Sequence, residues 1–178
     1  ELIQETADEI RYLESVSNSL DIALSEADLG QIKEELTASG YVRRKFTKKK
    51  VKLTNKPMHY ISSDGYDIYV GKNNIQNDEL TCSFANGGDW WFHAKGAPGS
   101  HVIVKTNGDE LPDRTFEEAG RLAAYYSKNR GSDKVEIDYI EKKHVKKPNG
   151  AKPGFVVYYT NYSLVIDSDI SNIKVVQD

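Results

Sequence analysis

The stretch Asp89-Trp90-Trp91-Phe92-His93-Ala94-Lys95-Gly96-Ala97-Pro98-Gly99-Ser100-His101-Val102-Ile103-Val104 decides how this chain is read. Its ends, Trp90–His93 and His101–Val104, are rich in aromatic and β-branched residues, which suit strands. Gly96, Pro98 and Gly99 between them supply the backbone freedom and fixed φ of a tight connection. The stretch therefore predicts two short strands joined by a turn. Neighbouring strand residues point to opposite faces, so Trp91, His93 and Lys95 share one face and Trp90 takes the other. Two readings of the indoles follow. Either Trp91 is exposed and suited to stacking on a nucleobase, or both indoles are buried, one of them under a helix beginning at Phe116.

Working outward, Met58–Ser62 and Tyr66–Val70 read as a hairpin about Ser63-Asp64-Gly65. A short helix follows, capped by Asn74 or Asn77 and running through Leu80 and Phe84. Thr115 is the expected cap of a helix from Phe116 to about Lys128, whose Ala119, Leu122, Ala123 and Tyr126 share one side. Val135–Ile140 reads as a half-exposed strand, with Val135 and Ile137 inward and Glu136 and Asp138 outward. Phe155–Thr160 and Leu164–Ile166 are expected to close the chain as a hairpin about Asn161-Tyr162. The fold class is α+β, a mainly antiparallel sheet with two or three helices, preceded by a helical coiled-coil segment. Three parts are expected: residues 1–42, a coiled-coil arm and short helix; 43–57, a basic linker; and 58–178, the α+β domain. In the arm, Ile3, Ile10, Leu13, Leu20 and Leu24 form a roughly heptad stripe. Such a stripe predicts self-association when no second helix covers it. Asp28 is the expected cap of the following helix, Leu29 to about Ser39, with Gly40 as its stop.

The 178 residues carry a net charge of -3, which argues against a uniformly basic nucleic-acid binder. The charges are segregated. Residues 1–40 are rich in Glu and Asp, whereas Arg43 to Lys56 and Lys142 to Lys152 are two basic runs. No apolar run approaches the roughly 20 residues of a membrane span, so no membrane insertion is expected. The single cysteine, Cys82, excludes an intrachain disulfide and a zinc site built from several cysteines. A reducing compartment is the simpler reading. The chain opens on Glu1 within a helical pattern and reads as a piece of a longer protein.

The chemistry-bearing residues argue against an enzyme. Adjacent Ser100 and His101 cannot act as nucleophile and base from opposite faces of a strand. No nucleophile elbow, phosphate-binding lysine loop or dinucleotide fingerprint is present. His93 and His101 could face each other on neighbouring strands, but Asp89 is the only obvious third ligand, too few for zinc. No metal or cofactor is expected. At least one imidazole is expected to donate to a backbone carbonyl and pin the Gly-Pro turn. Asn73, Asn74, Asn77 and Asp78 suit either RNA hydroxyls and base edges or caps and Asx turns. Lys142–Lys152 reads as a loop that either tracks phosphates or is simply solvated.

Three blocks together resemble the NFACT-R domain, the C-terminal module of the NFACT family of fibronectin-binding protein A-like proteins. They are Asp89–Val104, the Gly71-Lys72-Asn73-Asn74-Ile75-Gln76-Asn77-Asp78-Glu79-Leu80-Thr81 block with its preceding strand, and Lys146-Lys147-Pro148-Asn149-Gly150-Ala151-Lys152-Pro153-Gly154-Phe155-Val156. The resemblance covers roughly residues 56–167. It implies an RNA-binding module of a cytoplasmic ribosome-associated quality control factor. Its partners would be tRNA and the large ribosomal subunit, and its role would be to support C-terminal alanine tailing of stalled chains. The alternative it implies is a fibronectin-binding adhesin reaching the cell surface without a signal peptide. Under the first reading, Lys48, Lys49, Lys50, Lys146, Lys147 and Lys152 would contact phosphates. Trp91, His93, Lys95 and His101 would shape the contact surface, with Asn73, Asn74 and Asn77 as further candidates.

Overall fold

The computed structural model describes residues 1–44 and 55–177. The chain order is α1 (Leu2–Ile22), α2 (Glu26–Ala38), β1 (Met58–Ile61), β2 (Asp67–Val70), α3 (Asn74–Glu79), β3 (Trp90–Ala94), β4 (Val102–Val104), α4 (Asp113–Tyr125), β5 (Val135–Glu141), β6 (Tyr162–Ile166) and β7 (Lys174–Val175). Every strand pairing is antiparallel, and the sheet runs β6-β5-β3-β4-β2-β1-β7. The fold is α+β, with two helices ahead of the sheet, as the sequence pattern indicates.

The stretch that decides the fold lies at the centre of the sheet. Trp91 pairs with Ile103 on one side and Ile140 on the other. Because side chains alternate, the sheet has two buried faces. On one, Phe92, Ala94, Val102, Val104, Ile68, Val70 and Ile137 pack against Ala119, Leu122 and Ala123 of α4. Trp90 lies on this face, with its ring 5.0 Å from that of Phe116. On the other, Trp91, Ile103 and Ile140 pack against Leu80, Ala85 and Val145, with Val156 and Tyr158 alongside. Trp91 is thus in the interior and Trp90 half-buried beneath α4, which removes the open stacking platform that an exposed Trp91 would offer.

Several elements differ from the sequence expectation, each for a physical reason. Asn73, not Asn74 or Asn77, caps α3, its side chain accepting from the Gln76 N–H at 3.0 Å. The helix then widens into a π turn at Leu80–Phe84, closed by Ala85 N–H on the Leu80 carbonyl. Helix α4 begins at Asp113, behind Pro112. Thr115 lies inside it and is buried, its hydroxyl donating to Asp64 at 2.9 Å. Asp138 is buried, not outward: Tyr158 and Ser163 both donate to it at 2.8 Å, because the second face is covered too. Residues 155–160 form no strand. Only Val157 bridges, to Lys146, and β6 pairs with β5 instead. Strand β7, unanticipated, pairs with β1.

In the arm, Ser25 caps α2 in a reciprocal capping box with Asp28, one turn earlier than expected. Ile3, Ile10, Leu13, Leu20 and Leu24 are exposed. The face of α1 that packs is Tyr12, Val16, Ser19 and Ile22, where Tyr12 and Val16 meet Ile32 of α2. The heptad stripe and the docking face are therefore different sides of one helix. Among the described residues, no helix is long and apolar enough to cross a membrane.

Candidate nucleic-acid interface and the adjoining cleft

The Asn-rich block docks the arm onto the sheet. Asn73 donates to Gln31 of α2 at 2.8 Å, and Gln76 donates to the same oxygen at 2.8 Å. Asn74 donates to Ser15 of α1 at 2.8 Å and to Glu35 of α2 at 2.9 Å. Asn77 accepts from the His101 N–H at 3.0 Å. All three are buried, so they hold the frame and do not present themselves to RNA. Gly71 is required beside them: a Cβ there would lie 2.0 Å from Asn77 Oδ1. Lys72 completes the junction through a 2.7 Å ion pair with Asp28. Burial would raise the Asp28 carboxyl, but Lys72, the Leu24 N–H and Asn55 together hold it at about 2. Among the described residues Glu35 has no such cation. Burial pushes its carboxyl up, only partly offset by Asn74 and Tyr12.

His93 and His101 do face each other, with ring centroids 5.6 Å apart and planes at 90°. Trp91 stacks on His93 and meets His101 edge-on. His101 Nε2 lies 3.1 Å from the Gly154 carbonyl oxygen and Nδ1 lies 2.8 Å from the Thr81 hydroxyl. A carbonyl only accepts, so Nε2 carries the proton and Nδ1 accepts from Thr81. The His101 imidazole thus pins the 148–156 loop, while His93 has the Gly99 backbone of the Gly-Pro turn as a hydrogen-bond partner, the role expected of at least one of the two. Burial, then the neighbouring His93, holds His101 well below the ordinary histidine range. Burial lowers His93 as well. Both are neutral at physiological pH. Asp89 is committed elsewhere, accepting from Asn86 N–H, Thr106 N–H and the Lys105 ammonium. Among the described residues no group of three or more His, Cys, Asp or Glu side chains is placed to hold a metal.

The Lys142–Lys152 segment is ordered by its own lysine. Lys147 pairs with Asp78 at 2.9 Å, and Asp78 also accepts from the Gly154 N–H at 3.0 Å. Gly154 sits at φ +79 against Asn74, where a Cβ would come within 2.2 Å of the amide oxygen. Lys147 is therefore an anchor. Lys152 extends over the rings of Tyr12 and Tyr41, 4.9 and 5.8 Å from their centroids. Lys146 is exposed, and Lys143 and His144 are exposed beside it. Lys143 pairs with Glu141 at 2.7 Å, and Lys95 pairs with Glu136 at 2.7 Å. Lys48, Lys49 and Lys50 lie outside the described residues. The predicted residues thus separate into a buried aromatic-imidazole floor and a basic ridge at residues 142–146, with Lys95 and Lys152 apart from both.

Between α1, the Gly96–Gly99 turn and the 148–156 loop lies a cleft of about 950 Å³. Trp91, His93, His101 and Tyr158 line it from the sheet, and Glu5, Asp8, Glu9 and Tyr12 line it from α1. The α1 wall escaped sequence reading because acidic residues on a helix also mark a solvated face. The available signal was the spacing of Glu5, Asp8, Tyr12 and Ser15, which places them on one side of the helix.

Residues 56–160 match the model of the NFACT protein RNA binding domain, and residues 1–55 match that of the NFACT N-terminal and middle domains. The chain is 46% identical over 174 residues to the Rqc2 homolog RqcH of Streptococcus suis, covering 97% of this chain and 31% of that protein. It is 41% identical over 176 residues to the Rqc2 homolog RqcH of Bacillus subtilis, covering 97% and 30%. The chain spans about a third of the length of these curated relatives. It is also similar to the solved C-terminal structure of the fibronectin/fibrinogen-binding protein from Streptococcus suis. That match has a TM-score of 0.89 at 44% identity, over 97% of this chain and 70% of that one. With both family models matching in order along one antiparallel sheet and its helical arm, the chain belongs to the NFACT family, and residues 56–160 are its RNA binding domain.

Proposed function

We propose that this chain is the RNA-facing part of a ribosome-associated quality control factor that contacts tRNA and the large ribosomal subunit in the cytoplasm. There it supports C-terminal alanine tailing of stalled nascent chains. The observation that carries the reading is the exposed ridge of Lys143, His144 and Lys146 on an ordered loop of a domain whose family is described by RNA binding. Lys146 contacts a phosphate in this reading, and Lys48, Lys49 and Lys50 supply further phosphate contacts. The domain positions RNA and performs no chemistry on it. The test is anisotropy of labelled tRNA across a salt series, for the wild type and for Lys143→Ala/Lys146→Ala. Each lost phosphate contact should shorten the log–log salt slope by roughly 0.7 to 0.9. An unchanged slope, or no binding at low salt, refutes the assignment of RNA contact to this ridge.

A second reading is a fibronectin-binding surface protein. One observation favours it beyond the name of the similar Streptococcus suis structure. Strand β6 is an outer strand of the sheet, with Tyr162 and Val165 exposed, so it could accept an added strand from a partner. Saturable binding to immobilised fibronectin that is lost in Val165→Pro would support it.

A further inference from the structure

The cleft between α1 and the sheet has a chemistry opposite to that of the basic ridge. Its floor is neutral: the two imidazoles are uncharged, and the Trp91 indole N–H, on a residue 1% exposed, has no acceptor. Its α1 wall carries Glu5, Asp8, Glu9 and Glu14; Arg11 pairs with Asp8 and Lys128 with Glu14 at 3.3 Å, which leaves Glu5 and Glu9 as the wall's carboxylates without an ion pair among the described residues. The rim contributes Pro98, Pro148, Pro153 and Phe155. At the mouth an ammonium is already accommodated: Lys152 lies over Tyr12 and Tyr41, and Tyr41 donates to Glu9. This intramolecular contact shows the cation chemistry that the aromatic and acidic corner accepts.

We propose that this cleft binds an extended peptide segment bearing lysine or arginine, with its cations along the Glu5–Glu9 wall and its backbone against the Trp91 floor. Three features select that class. A phosphate-bearing strand would bring anions against the Glu5 and Glu9 carboxylates of the wall, which is unfavourable. A polyamine would satisfy the wall but bring no acceptor for an apolar, proline-rimmed floor. A basic peptide supplies cations, carbonyl acceptors and apolar surface together. The cleft volume falls at the upper end of what specific small sites occupy, enough for a few residues of extended chain. The site is independent of the RNA ridge, so each can fail without the other.

The test is anisotropy of fluorescein-labelled (Lys-Gly)4 titrated with this chain, beside (Glu-Gly)4, (Ser-Gly)4 and a single-stranded RNA octamer. Glu5→Lys/Glu9→Lys changes the wall. Glu110→Lys/Glu117→Lys makes the same charge change at exposed positions away from it. The expected result is binding of (Lys-Gly)4 alone among the peptides, weakened about tenfold or more by the wall variant and less than about twofold by the control. RNA binding should be retained by the wall variant. Equal weakening by both variants would reduce the effect to net charge and overturn the proposal. So would equal binding of the three peptides, or an RNA octamer that displaces (Lys-Gly)4 from the wild type. Unchanged circular dichroism and melting of the wall variant guard against misfolding, and Lys152→Ala, which removes the ammonium over Tyr12 and Tyr41, should strengthen peptide binding.

Discussion

Acidification should loosen this fold through His101. An unfolded imidazole titrates near 6.5, whereas the folded one is held well below that by burial, by His93 and by Lys147. Below pH 6.5 the unfolded chain therefore takes up a proton that the folded chain refuses. The stability contributed by the neutral state is complete above 6.5 and is lost as pH falls beneath it, until the folded group itself titrates. Between pH 7.5 and 5.5 one such imidazole costs about 1.4 kcal/mol of stability. The comparison to make is urea unfolding at pH 7.5, 6.5 and 5.5 for the wild type and His101→Gln. The variant removes the titration, so its pH dependence should be flatter by about that amount. Asp28, held at about 2, acts only below this window. Glu35 acts in the opposite direction and cancels in the difference between the two proteins. Equal slopes for wild type and variant would refute the reasoning and place the neutral imidazole elsewhere.

Other perturbations follow from the junction between arm and sheet. Glu35→Gln should raise stability increasingly above pH 4.5, because the raised carboxyl favours folding only while protonated; a pH-independent difference in thermal melting would contradict this. Lys72→Ala leaves the Asp28 carboxylate buried without its cation and should cost roughly 3 kcal/mol in denaturant unfolding, most of it restored by adding Asp28→Asn, which keeps the cap. Gly154→Ala forces a Cβ onto Asn74 at positive φ and should cost roughly 1–3 kcal/mol, while Gly150→Ala, also at positive φ but in open space, should cost less. The ranking of the two melting temperatures is the readout.

The alternation in Trp90–Val104 was enough to place two neighbouring strands, and the Gly/Pro turn to make them antiparallel, because period and turn chemistry are local. The same locality made α4 and the β1–β2 hairpin legible to within a few residues. Burial of both faces was not legible. A half-exposed strand and a strand covered by a loop differ only in what returns from far along the chain, and it is Tyr158 and Ser163 that turn Asp138 inward. The Asn block shows the same limit. Its residue types fit RNA contacts and caps equally well, and only the docking of α1 and α2 onto it commits Asn73, Asn74 and Asn77 to the frame. The two basic runs could be read in order but not in space. Lys146 stays outside, Lys147 becomes an anchor and Lys152 turns to the tyrosines, because Asp78 and the arm compete for them. The sequence determined the central strands, the β1–β2 hairpin, α4 and the family resemblance through short-range pattern. The tertiary structure decided which polar groups are paired with one another and which remain for a partner, because that depends on contacts between residues tens of positions apart.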